Sequence, residues 1–327
     1  MQSIALLKVV VRRLLVFSLA AVSFNTLAQS YPQRPIRLIV PFASGSATDV
    51  IGRVFGQKIG ELLGQPVVID NKVGAVGSIG ADLVAKAAPD GYTLLLGTNS
   101  NVAVIRLLLK NVPYDPEKDF TPISLLGELP QVVVVNNDLP VKSLAELINF
   151  ARINPGKVNY AWPNMVGFFS AEMLAGMSGV KFFAVPYKNS PQAMTDLISG
   201  QVQLFIADPG LAIPQVRAGK VRPLAITHSR RSSAIPGLPT VAEAAQLPGY
   251  ELLGLFGVFG PAGLPVDIVQ KLHAAIQTAA QDPSVLARMT TLSLDVRTST
   301  PEELALRMRQ DAERWGKVAK EVGIQPQ

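Results

Sequence analysis

Pro41–Asp49, PFASGSATD, sets Gly45, three hydroxyl side chains (Ser44, Ser46, Thr48) and one acid, Asp49, between the apolar run Ile36–Val40 and a segment with helical spacing. Small residues let a ligand carboxylate reach backbone N–H groups. Hydroxyls can donate to it, and a helix N-terminus adds a favourable dipole. The same residue types make an ordinary cap, with Ser46 or Thr48 as N-cap and Gly45 as the turn. The residues alone leave both readings open. Three more stretches have this character: Gly74-Ala-Val-Gly77-Ser78 before a helix, Gly97-Thr98-Asn99-Ser100 after LLLG, and Tyr187-Lys188-Asn189-Ser190 after FFAV. Each by itself reads as a turn. Together they fall on one predicted rim, at the strand carboxyl ends where open α/β folds hold ligands. Lys188 is either an anion partner or a solvated rim charge.

Other chemistries find little support. There is no Cys, so thiol catalysis, disulfides and thiolate metal sites are excluded. Only His228 and His273 could supply imidazole, and Gly45-Ser46 lacks the G-x-S-x-G context of a hydrolase. No enzyme, metal or cofactor is expected. The chain carries 30 Lys+Arg and 24 Asp+Glu. Three of the bases (Lys8, Arg12, Arg13) lie in a leader without acids, which leaves a net charge of +3. No basic run with interleaved aromatics appears, so nucleic acid is not an expected partner.

The elements that must position these residues follow the leader. Residues 1–28 read as a secretory signal peptide: a basic start, the apolar run Leu14–Phe24, and cleavage after Ala28. A membrane anchor is the alternative, but that run is short for a bilayer. Strand and helix patterns then alternate. Ile36–Phe42, Val67–Asp70 and Tyr92–Thr98 read as strands, Thr48–Leu63 and Ile79–Ala87 as helices. Ser143-Leu-Ala-Glu146, Thr240-Val-Ala-Glu243 and Thr300-Pro-Glu-Glu303 read as capping boxes, and Ser190 as a further cap. This βαβα order predicts an α/β fold of two lobes, each a mostly parallel sheet flanked by helices. The unbroken apolar stretches Ile123–Val135 and Tyr250–Phe259 read as crossings between lobes. That gives residues 29–127 plus 255–327 to one lobe and 128–254 to the other.

The segments PF-x-x-G-x-x-TD (Pro41–Asp49), IDNKVGAVGSIGAD (Ile69–Asp82), APDGYTLLLGT (Ala88–Thr98), PYDPEKDFTPISLL (Pro113–Leu126), VPYKNSPQAMTDLISGQVQL (Val185–Leu204), RAGKVRPLAIT (Arg217–Thr227) and LPTVAEA (Leu238–Ala244) resemble, in order, the tripartite tricarboxylate transporter solute-receptor family, the Bug receptors. The resemblance implies a type II periplasmic binding protein with Venus-flytrap closure, monomeric, that takes a small organic anion to cognate membrane transporter subunits. A receptor presenting a carboxylate to a sensor kinase is the alternative. Carried over, Phe42, Gly45, Ser46, Thr48, Asp49, Gly77, Thr98 and Asn99 form one wall of the ligand cleft. Trp162, Asn164 and Phe168 of the expected loop Tyr160–Ser170, with Tyr187 and Asp208, form the other.

The chain departs from the family pattern in places. The first loop is poorer in Gly, the second reads Asn71-Lys-Val-Gly-Ala-Val-Gly77, and Ala207 stands where an Asp is usual. AWPNMVGFFS (Ala161–Ser170) replaces a Ser/Gly-rich loop with bulky apolar side chains. Either the cleft takes an acid with an apolar or aromatic body, or those side chains pack between the lobes and narrow it.

Overall fold

A computed structural model describes residues 31–231, 235, 237–321, 323, 324 and 326. The leader expected over residues 1–28 lies outside them. The first half of the chain lays down β1 (Ile36–Val40), α1 (Ala47–Leu63), β2 (Val67–Asn71), a 3-10 turn at Ala75–Gly77, α2 (Ser78–Ala85), β3 (Thr93–Thr98), α3 (Asn99–Val102), α4 (Ile105–Leu108) and β4 (Phe120–Leu129). Then come β5 (Val132–Asn136), α5 (Leu144–Ile153), β6 (Asn159–Trp162), α6 (Met165–Ser178), β7 (Phe183–Pro186), α7 (Ser190–Ile198), β8 (Leu204–Ala207), α8 (Pro209–Arg217), β9 (Val221–Ile226) and α9 (Val241–Ala245). The chain returns through β10 (Gly254–Pro261), α10 (Val266–Ala280), α11 (Pro283–Leu292), β11 (Asp295–Val296) and α12 (Pro301–Glu321).

Two sheets result, one ordered β11-β4-β10-β3-β1-β2 and the other β7-β6-β8-β5-β9. Both are mixed, where mostly parallel sheets were expected. Parallel pairing joins β1 to β2 and β3, and β6 to β7 and β8. The strands that come from the other sheet run against these. β4 ends at Leu129 and β5 begins at Val132, opposite the last residues of β8 and β9. β10 enters opposite the end of β4 and pairs antiparallel with β3. A strand that enters a sheet at the rim where its neighbours leave must be antiparallel.

The same geometry puts both crossings at the carboxyl rims of both sheets, and they are tied together. Gln131 N donates to Thr227 Oγ1 (2.8 Å), Thr227 N to Gln131 O (3.0 Å), and Leu252 N to Thr227 O (3.2 Å).

Continuous apolar strands mark coverage on two faces. Along β5, Val133 and Val135 belong to one core while Val132 and Val134 belong to another, the period of two that a strand imposes. Helix α1 buries Ile51, Phe55 and Ile59, one face at four-residue spacing. Gly52 lets it lie close to the sheet, since a Cβ there would come within 3.1 Å of Leu96 and Val40. Gly64, left-handed at φ 70°, ends the helix.

Helix α12 belongs to both halves. Leu304 and Met308 pack in the first-sheet core, while Trp315, Val318 and Ala319 pack in the second. Trp315 lies 4.9 Å from Phe169, centroid to centroid.

Candidate ligand-binding site

β1, β2 and β3 run parallel, so the loops that follow Val40, Asn71 and Thr98 share one rim. Asn71 Nδ2 stitches two of them, donating to Phe42 O and to Asp49 Oδ1 at 2.9 Å each. Asp49 is almost wholly buried. Its oxygens also accept from Gly45 N (2.9 Å) and from Arg53 Nε and Nη2 (2.9 and 3.0 Å). Burial alone would push this carboxyl up. Hydrogen bonds from Arg53, Gly45 and Asn71 outweigh it and hold the group at about 2. Both oxygens are therefore occupied by the chain's own donors.

Ser46 is the N-cap of α1, its Oγ accepting from Asp49 N at 3.2 Å, and its hydroxyl proton still has a donor's role open to it. Thr48 is buried in the first turn. Gly45 sits at φ 83° with open space where a Cβ would project.

Gly77 packs against the third loop. At φ 86°, a Cβ there would meet Asn101 Nδ2 at 2.7 Å and Pro41 Cβ at 3.3 Å, so only glycine fits. Thr98 N donates to Asn101 Oδ1 at 2.9 Å. Thr98 Oγ1 and Asn101 Nδ2 are buried and have no hydrogen-bond partner among the described residues.

Asn99 is turned elsewhere. Its Nδ2 donates to Asp311 Oδ2 and its Oδ1 accepts from Leu255 N. On a helical turn, residues two apart point in nearly opposite directions. Asn101, not Asn99, therefore belongs with Gly77 and Thr98. The Thr98-x-x-Asn101 spacing, that of a capping box, was the signal in the sequence.

The second rim carries the ends of β6, β7 and β8, so the four glycine- and hydroxyl-rich stretches divide between two rims. AWPNMVGFFS is not a loop there. Trp162 ends β6, and Asn164 caps α6 by accepting from Gly167 N at 2.9 Å. Phe168 and Phe169 lie in the first turn and a half of the helix. Trp162 and Phe168 are half-buried and pack ring to ring at 5.0 Å. They share one apolar cluster with Val76 of the first rim.

Trp162 Nε1 and Ser170 Oγ are buried without a hydrogen-bond partner among the described residues, as is Gln131 Oε1 on the crossing. Tyr187 is engaged: its hydroxyl donates to Asp196 at 2.9 Å, and burial with that bond pushes it up to about 12. Asp208 accepts from Gln131 Nε2 at 2.8 Å, and burial raises its pKa. Asn189, by accepting from Gln192 N, is the cap of α7 in place of Ser190.

Among the described residues, four neutral donors thus stand unpaired near the rims: Thr98 and Asn101 on the first, Trp162 at the end of β6, and Ser170 in the second turn of α6. Neutral donors suit an anion, because they add no charge to be desolvated when no ligand is bound.

The chain is similar to proteins of one family along most of its length. BugT of Bordetella pertussis is 35% identical over 93% of this chain and 94% of its own length. A Rhodopseudomonas palustris protein solved with adipate is 37% identical, with a TM-score of 0.81 over 91% of this chain and all of that one. MatC of R. palustris, solved with bound malate, is 34% identical, with a TM-score of 0.77 over 88% of this chain and all of that one. Residues 51–324 match the family described as "Tripartite tricarboxylate transporter family receptor". The two-lobed α/β architecture, the rims at the crossings and this match place the chain in the tripartite tricarboxylate transporter receptor family, to which it belongs.

Proposed function

We propose that this chain is a periplasmic receptor, exported by its leader, that binds a small carboxylate with an apolar body between the two rims and delivers it to a tripartite tricarboxylate-type membrane transporter. The observation that carries this reading is the set of buried, unpaired donors. A buried donor without a partner costs on the order of 1–3 kcal/mol, and a carboxylate oxygen repays that cost where an apolar group cannot. Adipate and malate in the relatives are both diacids, which suits donors on two facing rims. Gly45, Gly77, Thr98 and Asn101, with Phe42, Ser46 and Thr48 around them, supply the first wall. Trp162, Asn164, Phe168 and Ser170 supply the second. Asp49, Asn99, Tyr187 and Asp208 hold this frame and do not touch the ligand. The half-buried Trp162 and Phe168 favour an acid with an apolar chain over citrate, whose hydroxyl and third carboxylate would need further partners.

Thermal melting of the mature chain with adipate, malate and citrate tests this. A ligand at a hundred times its Kd adds about 2.7 kcal/mol. At roughly 2.1 cal/mol/K per residue over about 300 residues, that is a rise of about 4 °C. Adipate should shift the melt most. No shift with any of the acids, for protein that native mass spectrometry shows to be ligand-free, would overturn the proposal.

A further inference from the structure

A cavity of about 190 Å³ lies against the α3–α4 turn, and none of the cleft residues named above lines it. Its floor is Val102, Phe120, Phe259 and Met308, all buried. Phe120 and Phe259 meet edge to face there, at 6.4 Å and 70°. One wall is a single face of α12: Ala305, Met308, Arg309 and Ala312, spaced i, i+3, i+4 and i+7. Two of those four are alanines, where larger aliphatic side chains would close the space. An apolar cavity of 150 Å³ is already enough to hold benzene.

The mouth is polar. Arg106, Glu117 and Arg309 stand around it. Arg106 is paired with Asp115 at 3.1 Å. Arg309 is exposed and makes no ion pair with a described residue. An aromatic floor below an uncommitted guanidinium is the complement of a flat ring that carries one carboxylate. Glu117 adds a reason to expect a monoanion, since a second carboxylate at this mouth would face it.

We infer that this cavity is a second ligand site, separate from the cleft, for an aromatic monocarboxylate whose ring lies on Phe120 and Phe259 and whose carboxylate pairs with Arg309. The site also touches the cleft through the chain. Val102 and Ala103 directly follow Asn101, and Tyr114, which packs edge to face on Phe120 at 5.4 Å, donates to Asn101 O at 2.7 Å. Occupancy of the cavity therefore bears on the residue that presents a donor to the cleft, and any coupling between the two ligands is reciprocal.

The test uses benzoate as probe on the full mature chain, with binding followed by calorimetry and by ligand-observed NMR. Benzoate is expected to bind saturably with a Kd of roughly 1 mM or tighter, as suits a ligand of its size, and benzylamine is expected not to bind. Arg309→Ala, a surface change, and Ala305→Phe, which fills the cavity, should each weaken benzoate at least about tenfold, the loss of one charge-assisted contact. Trp162→Ala, in the cleft, should leave it unchanged. The inference is overturned if benzoate shows no saturable binding. It is equally overturned if Trp162→Ala abolishes binding while Arg309→Ala retains it, for the ring would then lie in the cleft. Adipate binding to the same proteins reports on the cleft independently.

Discussion

Replacing Asp49 with Asn separates a residue that builds the first loop from one that touches ligand. The native carboxylate gathers Gly45 N, Asn71 Nδ2 and two Arg53 nitrogens, all between 2.9 and 3.0 Å. These partners hold its pKa near 2 rather than an ordinary 3.8, a difference worth roughly 2 kcal/mol of folding stability at neutral pH. The asparagine carries no charge and exchanges one acceptor oxygen for an NH2 donor. Gly45 N or Asn71 Nδ2 then loses its partner, at about 1 kcal/mol or more. Arg53 is half exposed and is compensated by water. The total is about 2–4 kcal/mol, or a fall in Tm of about 3–7 °C for a chain of this length.

The sign with pH is equally definite. A carboxyl with a lowered native pKa stabilises above its unfolded value, and that contribution fades as pH falls from about 4 toward about 2. Differential scanning calorimetry across that range should show Asp49→Asn losing about 2 kcal/mol less than the wild type, the rest of the loss belonging to other carboxyls held low, such as Glu251 and Asp282. An apo Tm that Asp49→Asn leaves unchanged, together with abolished binding of adipate, would refute the reasoning and make Asp49 a ligand contact.

Thr98→Val and Asn101→Ala remove unpaired buried donors. Apo melting should stay within about 1 °C for Thr98→Val and fall by about 2–5 °C for Asn101→Ala, which also strips buried Thr98 N of its acceptor, while in both affinity for the cleft ligand falls about 10–100-fold by titration calorimetry, the worth of hydrogen bonds to a charged group. Gly77→Ala forces a Cβ against Asn101 Nδ2 at a left-handed φ; it should cost about 1–3 kcal/mol in denaturant melts and weaken binding as well. His228 packs at the second crossing against Glu251 and Asp295, with Arg230 and Ser229 beside it. Its bond to Glu251 raises its pKa against burial and the Arg230 charge, so its contribution is complete below about 6.5 and is lost as pH rises through the raised value. Urea midpoints measured from pH 6 to 9 should fall in the wild type and stay flatter in His228→Gln.

The elements that local chemistry decides were legible in the sequence. The Thr240/Glu243 and Thr300/Glu303 boxes close reciprocally, and Ser143 accepts from Glu146 N as its pattern requires. Strand pairing was not legible, because β5 and β10 owe their direction to where the chain crosses between sheets. Trp162-Pro163-Asn164 reads as irregular, yet Asn164 is a cap and the apolar residues after it are helix. Asn99 and Asn101 are chemically alike and two apart. Only the orientation of a four-residue helix sends one to Asp311 and the other toward Gly77.

Helix α12 gives the two lobes a third connection. The crossings at Gln131 and Thr227–Leu252 are two adjacent strands of backbone, enough by themselves to permit twisting as well as bending. A rigid rod pinned by Met308 at one end and Trp315 at the other removes much of the twist. Next to the first pin, Arg307 pairs with Glu128 of β4 and with Asp311, which in turn holds Asn99. This arrangement favours bending about one axis over twisting. Because Asp311 of the helix holds Asn99, a bend that moved the helix would reach the Asn99–Asn101 turn of the first rim as well.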